Sequence, residues 1–184
     1  GYSGAEVGLE LLDAASRLRI PVEARRAGEI LRLGDVRLRV LHPPEPDWER
    51  RRVRNDDSVV VEVVYRDVAL LLTGDISAEV ERAIVPLLTP ARSRILKVAH
   101  HGSGSSSSTE LLSAWRPQIA IISAGRGNTF GHPAVEVLRR LEAIGATVLR
   151  TDLDGQITVS TDGTDVNVNT FTGGTSEPRR SRRR

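Results

Sequence analysis

Four apolar segments of this sequence each lead into side chains that can do chemistry. Asp75 follows VALLLTG, the pair His100-His101 follows RILKVA, His132 comes soon after QIAIISAG, and Asp152 follows ATVLRT. In an open α/β sheet, ligands bind beyond the carboxyl ends of the strands. Because the chain has no cysteine, any metal must take imidazole and carboxylate ligands, which suit zinc or manganese. The pattern predicts that these side chains meet at one rim of a sheet, where they could hold a divalent metal.

Each of these residues also has a structural interpretation. Asp75 precedes a helix signal at Ser77 and could cap that helix. His132 lies in a Gly-His-Pro tripeptide at a helix start, where it could cap the helix or bind an anion. Adjacent strand residues point to opposite faces, so only one of His100 and His101 is expected to face the crevice. Two histidines side by side at a strand end nevertheless favour a function.

The serine-rich segment after the histidine pair offers weaker chemistry. Its sequence, GSGSSSS over residues 102–108, contains no Gly-x-Ser-x-Gly motif, so it does not predict a serine nucleophile. The backbone amides of Gly102 and Ser103 could instead bind a phosphate near a helix N-terminus. His42 precedes two prolines at the end of another strand and is interpreted as structural.

The elements that must position these residues follow a readable order. Helical spacing near the start is followed by two half-exposed strands, PVEARR and VRLRVLH, and then by a buried hairpin, SVVVEVVY and VALLLTG. The rest alternates strand, helix, strand, helix, strand before two closing strands, QITVST and DVNVNTF. This alternation predicts an α/β fold.

Composition limits the function classes. Aromatic residues make up only 3% of the chain, which argues against an aromatic platform for single-stranded nucleic acid. The last twelve residues carry five arginines and one glutamate, so the remainder has 26 − 5 = 21 basic against 24 − 1 = 23 acidic residues. The body is therefore not a basic nucleic-acid surface. The tail is predicted to be a solvated terminus or an arm for phosphate or anionic lipid.

Five segments occur in a fixed order that indicates a known family: RNDDSVVVEV, LLLTGDI, LKVAHHGS, GNTFGHP and VLRTDLDGQITV. This set resembles the second half of the metallo-β-lactamase-fold domain at the C-terminus of ComEC-type competence DNA-uptake proteins, from about Ala27 through Val159. The resemblance implies the C-terminal portion of an α/β, four-layer αββα sandwich, with a mixed sheet and flanking helices. Residues 1–171 would form this partial domain and residues 172–184 a disordered Arg-rich tail.

The resemblance also implies roles for individual residues. Asp75 matches an aspartate that bridges a pair of divalent ions, zinc or manganese, and the His100-His101 pair matches the last ligand motif. We favour His100, which lies directly at the strand end, but the sequence leaves either histidine open. His132 matches a Gly-His-Pro motif placed for substrate phosphate or proton transfer, so the implied catalytic residues are Asp75 and His132. Asn55 and Ser58 match an Asn-x-x-Ser segment that occurs near the site in this family. With the amides named above, the candidate substrate-binding residues are Asn55, Ser58, Gly102, Ser103 and His132.

One part of the family pattern is missing. The only histidine before Asp75 is His42, so no His-x-His-x-Asp-His motif supplies the remaining ligands. We expect that the first half-domain and the membrane channel segments of a longer protein are absent from this chain, with true loss of the motif as the alternative. Asp75 plus one histidine gives two ligands, whereas a stable site needs three or four. The chain alone is expected to be inactive.

The expected function of the intact domain is metal-dependent hydrolysis of DNA during competence-linked uptake, with single-stranded DNA as the expected substrate. The domain would be a soluble part of a bacterial inner-membrane protein. Two alternatives stay open: a non-catalytic DNA-binding or structural half-domain, and a hydrolase of the same fold acting on a small ester, thioester or lactam.

Overall fold

The computed structural model of this protein describes residues 4–23, 25–44 and 54–172. All but the first residue of the predicted tail lies outside this part, so the boundary at residue 172 stays a prediction. The five helices of the described part are α1 (Gly4–Arg17), α2 (Ala78–Ile84), α3 (Thr109–Trp115), α4 (Val135–Ala143) and α5 (Thr151–Asp154). The nine strands there are β1 (Ile30–Leu33), β2 (Val36–His42), β3 (Val60–Tyr65), β4 (Val68–Leu72), β5 (Ser93–Lys97), β6 (Ile119–Ile122), β7 (Thr147–Arg150), β8 (Ile157–Thr161) and β9 (Val166–Thr170).

Seven strands form one mixed sheet in the order β1-β2-β3-β4-β5-β6-β7. Strands β1 to β4 pair antiparallel, whereas β4 to β7 pair parallel. The carboxyl ends of β2, β4, β5, β6 and β7 and the start of β3 therefore lie at the same edge of the sheet. This confirms the predicted mixed α/β sheet with flanking helices and brings the candidate residues to one rim.

Helices cover one face of the sheet and enclose the main core. Helices α2, α3 and α4 turn their apolar sides toward the strands because each carries apolar residues at helical spacing. Trp115 of α3 is 1% exposed and donates a hydrogen bond from Nε1 to the Ile95 carbonyl at 3.2 Å. The buried side chains that join helices to sheet include Ile84, Leu111, Leu112, Val137, Leu141, Val60, Leu71, Leu96 and Ile122.

The opposite face of the sheet is only partly covered. The separate β8–β9 ribbon packs Val166 and Val168 against Val68, Ile95 and Ile119 of the sheet. Nearer to β2 and β3, apolar side chains of this face stay half-buried, and Leu72 is 38% exposed. The other members of this uncovered apolar strip are Val61, Val63 and Leu70.

One predicted strand is wrong. PVEARR was read as an extended partner of β2, but none of its described residues is in a strand. The adjacent edge of β2 is taken instead by β1, because a two-residue turn places Leu33 directly opposite Val36. Pro21 also removes a backbone donor at the start of the segment. In the described ranges, no helix has the length and apolar character that crossing a bilayer requires.

Candidate functional site

The centre of the candidate site is formed by Asp75 and His101. Asp75 follows β4, and His101 lies in the short 3-10 turn Ala99–Gly102 after β5. His101 Nε2 is 3.7 Å from Asp75 Oδ2, and both side chains are about half accessible to solvent. His101 Nδ1 lies 2.6 Å from the Ser123 carbonyl oxygen. A carbonyl can only accept, so Nδ1 donates to it, and Nε2 is the ring nitrogen that faces the Asp75 carboxylate.

An unusual backbone turns the two histidines apart. His100 and His101 have φ values of 48° and 54°, and Gly102 follows with 83°. The left-handed conformation costs a residue with a Cβ about 1–2 kcal/mol. It persists because the His100 amide donates to the Gly74 carbonyl at 3.0 Å, which ties the turn to the end of β4. Backbone strain of this kind concentrates at functional sites.

His100 faces a second group of residues. Asn55 Nδ2 is 3.3 Å from His100 Nε2, and the amide nitrogen can only donate. The His132 ring meets the His100 ring edge-on with centroids 5.8 Å apart. The contacts therefore favour His101, rather than His100, as the histidine on the side of Asp75. His100 belongs with Asn55 and His132.

Ser58 contacts the backbone of Asp75 and positions it. The Asp75 amide donates to Ser58 Oγ at 3.1 Å. Gly74 has φ 57°, and a Cβ added there would lie 2.6 Å from Ser58 Cβ. The turn before Asp75 thus requires glycine, and Ser58 positions the carboxylate residue. Asp75 is not the cap of the following helix, because the N-cap residue of α2 is Ser77.

Asp56 is a positioning residue that the sequence interpretation missed. Its carboxylate accepts from the Ser77 amide at 2.6 Å and from Ser77 Oγ at 3.0 Å. Its carbonyl oxygen lies 2.6 Å from His42 Nε2. Together these contacts fix the segment that carries Asn55 and Ser58 against the sheet edge. His42 has the structural role that its sequence context predicts.

The Gly-His-Pro loop is fixed by Asn128. The Asn128 side chain accepts from the His132 amide at 3.0 Å and donates to the His132 carbonyl at 2.7 Å and the Gly125 carbonyl at 3.0 Å. The exposed ring of Phe130 stacks on the His132 ring, with centroids 6.1 Å apart and an interplanar angle of 21°. Pro133 packs so closely on Gly102 that an added Cβ would lie 2.6 Å from Pro133 Cβ.

No family model matches this chain. ComE operon protein 3 of Bacillus subtilis is 34% identical over 148 residues, which cover 80% of this chain and 19% of that protein. Competence protein ComA of Neisseria gonorrhoeae is 39% identical over 111 residues, 59% of this chain and 16% of that protein. Recombination protein 2 of Haemophilus influenzae is 38% identical over 109 residues, 59% of this chain and 14% of that protein.

The chain is a homologue of the ComEC-type competence proteins. The predicted resemblance is thereby confirmed, and the chain spans about a fifth or less of the length of these curated relatives. Among solved structures, the "Putative metal-dependent hydrolase" of Parabacteroides distasonis is similar with a TM-score of 0.44 and 13% identity. That similarity covers 77% of this chain and 62% of the other.

The donor set of this ComEC homologue fits part of a metal site. Asp75 and His101 present one carboxylate oxygen and one imidazole nitrogen toward each other, at a separation longer than a hydrogen bond. The Ser123 carbonyl orients the imidazole, as outer partners of metal-bound histidines usually do. Over residues 4–23, 25–44 and 54–172, however, no three His, Asp or Glu side chains gather into a metal-binding group.

Lys97 adds a positive charge close to this pair. Burial lowers the pKa of its ammonium, and the charge of Asp75 partly opposes that effect. Lys97 Nζ donates to the Val98 carbonyl at 2.8 Å. The sequence interpretation passed over this lysine, although its place at the end of β5 beside the histidines was visible.

The serine run is structural. Ser106, Ser107 and Ser108 are buried, and Ser106 Oγ donates to the Ala99 carbonyl at 2.9 Å. The Ser107 and Ser108 amides each donate to Glu81 at 2.6 Å. Burial raises the pKa of the Glu81 carboxyl, and hydrogen bonds from these two serines act in the opposite direction. The run therefore fastens the histidine turn to α2, and no nucleophile is needed to explain it.

Three other sequence-predicted residues are engaged in contacts within the protein. The Ser103 amide donates to the His100 carbonyl at 2.8 Å, and Gly102 is buried against Pro133, so a phosphate site on their amides gains no support. Asp152 does not continue β7 to the rim. Its carboxylate accepts two hydrogen bonds from Arg150, at 2.6 and 3.0 Å, in the turn of α5.

Proposed function

We propose that this chain supplies one part of the active site of a metal-dependent phosphodiesterase that acts on DNA during competence-linked uptake. Its homology to competence proteins supports the process. The paired donors at the sheet edge support the chemistry. In the parent protein, a soluble domain at the bacterial inner membrane would work beside channel segments, with single-stranded DNA as substrate.

The observation that carries this proposal is the orientation of His101 toward Asp75. An imidazole whose Nδ1 is fixed on a backbone carbonyl has only Nε2 left to bind a ligand. That nitrogen points at a carboxylate oxygen 3.7 Å away, and both atoms are reachable from solvent. Imidazole nitrogen and carboxylate oxygen are donors that suit zinc or manganese.

Each residue has a distinct task in this proposal. Asp75 and His101 would hold the metal, and Ser58 and the Ser123 carbonyl keep these two side chains in place. A bound divalent ion supplies Lewis-acid chemistry, polarising a phosphoryl oxygen and making water more acidic. His132, beside His100 at the same rim, would stabilise the negative charge that grows on the phosphate.

The remaining donors would come from outside the described residues. The half-buried apolar strip on this face of the sheet supports this, because a second sheet packed there would complete the burial of Val61, Val63, Leu70 and Leu72. Packing on that face would also bring new residues to the same rim. The metal pair expected from the resemblance would need them, since Asp75 and His101 alone are fewer than three ligands.

A non-catalytic DNA-holding role is the second candidate. It is favoured by the lack of any three-residue donor group in the described ranges. The two candidates differ in one respect that can be measured: only the hydrolase needs Asp75 and His101 to bind a metal.

Calorimetric titration of zinc and manganese into this chain tests the proposal. We expect weak binding that Asp75→Asn and His101→Ala abolish. His100→Ala is the matched control, because it changes the neighbouring residue in the same backbone conformation and should leave binding in place. Equal binding by all three variants and the unaltered chain would refute the proposed metal site. Loss in His100→Ala alone would transfer the ligand role to that residue.

Activity gives the second arm of this test. This chain with manganese should leave single-stranded DNA intact, and the full-length gene product should cleave it. Asp75→Asn in the full-length protein should remove cleavage. Metal-independent cleavage by the full-length protein would exclude the mechanism, and cleavage of a thioester or lactam instead of DNA would point to another substrate class.

A further inference from the structure

Phe130 is exposed to an unusual degree for a large apolar side chain. Its relative exposure is 81%, and among the exposed large hydrophobic residues of the described part only Phe171, at 84%, exceeds it. Single exposed apolar residues are common on protein surfaces and need no explanation by themselves. What distinguishes Phe130 is its position beside the candidate site.

Three rings form a row that leads outward from the sheet edge. His100 is the inner ring, His132 meets it edge-on at 5.8 Å, and Phe130 stacks on His132 at 6.1 Å. Because Phe130 is 81% exposed, most of its ring surface is open to solvent beside His132. A ligand that reaches His132 from solvent passes next to this ring.

The loop that carries Phe130 is held in shape by its own contacts. Asn128 makes three hydrogen bonds within the loop, two of them to the backbone of His132. Pro133 on the other side packs against Gly102 in the histidine turn. The ring is thus presented to solvent on a fixed support, which lowers the entropy that binding would cost.

We propose that Phe130 is a base-stacking residue, which binds a nucleobase of a single-stranded substrate next to the phosphate at His132. Every nucleobase has a π-face, so such a contact tolerates any sequence. Arg126, exposed in the same loop, adds positive charge for the strand. This inference rests on the proposed function and names the residue that would recognise the substrate class.

The low aromatic content does not conflict with this role. A composition of 3% aromatic residues argues against a platform of several rings, whereas the proposal needs only one. A single ring would fix one base and leave the rest of the strand to charge interactions. It would therefore both orient the strand at the site and add to its affinity.

Fluorescence anisotropy with two labelled oligonucleotides tests the proposal. One is a single-stranded DNA of mixed sequence, and the other has the same length and charge but carries abasic sugars throughout. The full chain is compared with Phe130→Ala, Phe130→Trp and Phe171→Ala at raised ionic strength, where the salt-sensitive contribution of the Arg-rich tail is reduced. Phe171→Ala is the matched control, because it removes the other exposed phenylalanine ring.

We expect Phe130→Ala to weaken binding of the base-bearing strand by about 5- to 100-fold, the range that base–aromatic stacking supports. The same variant should bind the abasic strand like the unaltered chain. Phe130→Trp and Phe171→Ala should keep the preference for bases. Thermal unfolding of Phe130→Ala should be unchanged, since an exposed ring contributes little buried area.

Four results would overturn the proposal: equal losses on both strands, an equal loss in Phe171→Ala, no loss in Phe130→Ala, or no binding of either strand. Metal titration of Phe130→Ala separates this inference from the proposed function. Retained zinc binding without a base preference defeats only the stacking role, and a base preference without metal binding defeats only the hydrolase.

Discussion

Replacement of Glu81 by glutamine should destabilise the protein, because one of the two buried backbone amides that donate to Glu81 would lose its acceptor. Glu81 is 0% exposed, and each carboxylate oxygen accepts one amide, from Ser107 or Ser108, at 2.6 Å. Glutamine has nearly the same shape but offers one oxygen and one NH2 group. One of the two amides would then face another donor and lose its acceptor.

The magnitude follows from that single lost acceptor. A buried amide without a partner costs about 1–3 kcal/mol, and the neutral side chain avoids part of the desolvation that raises the pKa of Glu81. We therefore expect Glu81→Gln to lower the free energy of unfolding by about 1–3 kcal/mol. Glu81→Ala removes both acceptors and should lower it by about 2–6 kcal/mol.

Urea unfolding followed by circular dichroism measures these differences, provided that the m-values agree between variants. Glu79→Gln is the matched control, because Glu79 lies on the same helix and is exposed. It should change the free energy of unfolding by less than about 0.5 kcal/mol. If Glu81→Gln were as mild as Glu79→Gln, the serine run would not depend on the buried carboxylate and the reasoning would fail.

Two further predictions concern the histidine turn and the acid side of the stability curve. Gly102→Ala should destabilise the protein by more than about 1 kcal/mol, since Gly102 has φ 83° and the added Cβ would lie 2.6 Å from Pro133 Cβ. Gly34→Ala is the control, because φ is also positive there but nothing lies within 4 Å of an added Cβ. Equal melting temperatures for the two variants would contradict the steric part of this reasoning. Hydrogen bonds from Arg150 hold the pKa of the Asp152 carboxyl below its usual value. The stabilisation from this pair is therefore fully present above the pKa of the unfolded state, about 4, and is lost as the pH falls through the lower pKa of the folded state. Asp152→Asn should therefore cost stability at pH 6 but little at pH 2, and an equal difference in urea midpoint at both values would argue against the ion pair as its cause.

The sequence was sufficient to place the chemistry on the fold. Strands rich in β-branched residues, each ending in Asp75, the histidine pair or the Gly-His-Pro loop, predict a parallel edge where polar groups collect. The structure brings these three segments together by direct contacts: His101 to Asp75 and His100 to His132. Local periodicity carries such information because strand direction and side-chain alternation are fixed by backbone geometry.

The sequence could not show which histidine faces which partner. Strand alternation predicts that His100 and His101 diverge, but both residues have left the extended conformation and entered the left-handed region. Their directions are set by the His100 amide on Gly74 and the His101 ring on Ser123, contacts made across neighbouring strands. No local pattern encodes contacts between residues so distant along the chain.

The same limit explains the residues that were missed. Asp56 and Glu81 look like ordinary acidic residues in their own segments, yet one fixes the segment of Asn55 and the other the serine run. Their roles depend on burial and on backbone donors from other elements. A buried carboxylate is recognisable only when its surroundings are known, since its cost and its partners are both properties of the packed state.

The sequence by itself determined the order of the strands from β2 onward and of helices α1 to α4, the segments that end in metal-capable or phosphate-capable side chains, and the relationship to competence proteins. Only the tertiary structure decided that His101 is the imidazole on the side of Asp75, that the serine run is buried and structural, and that Phe130 is exposed to solvent beside His132. The physical reason is the range of the interactions. Periodicity and turn chemistry act over a few neighbouring residues, whereas orientation, burial and ring stacking arise where distant segments pack against one another.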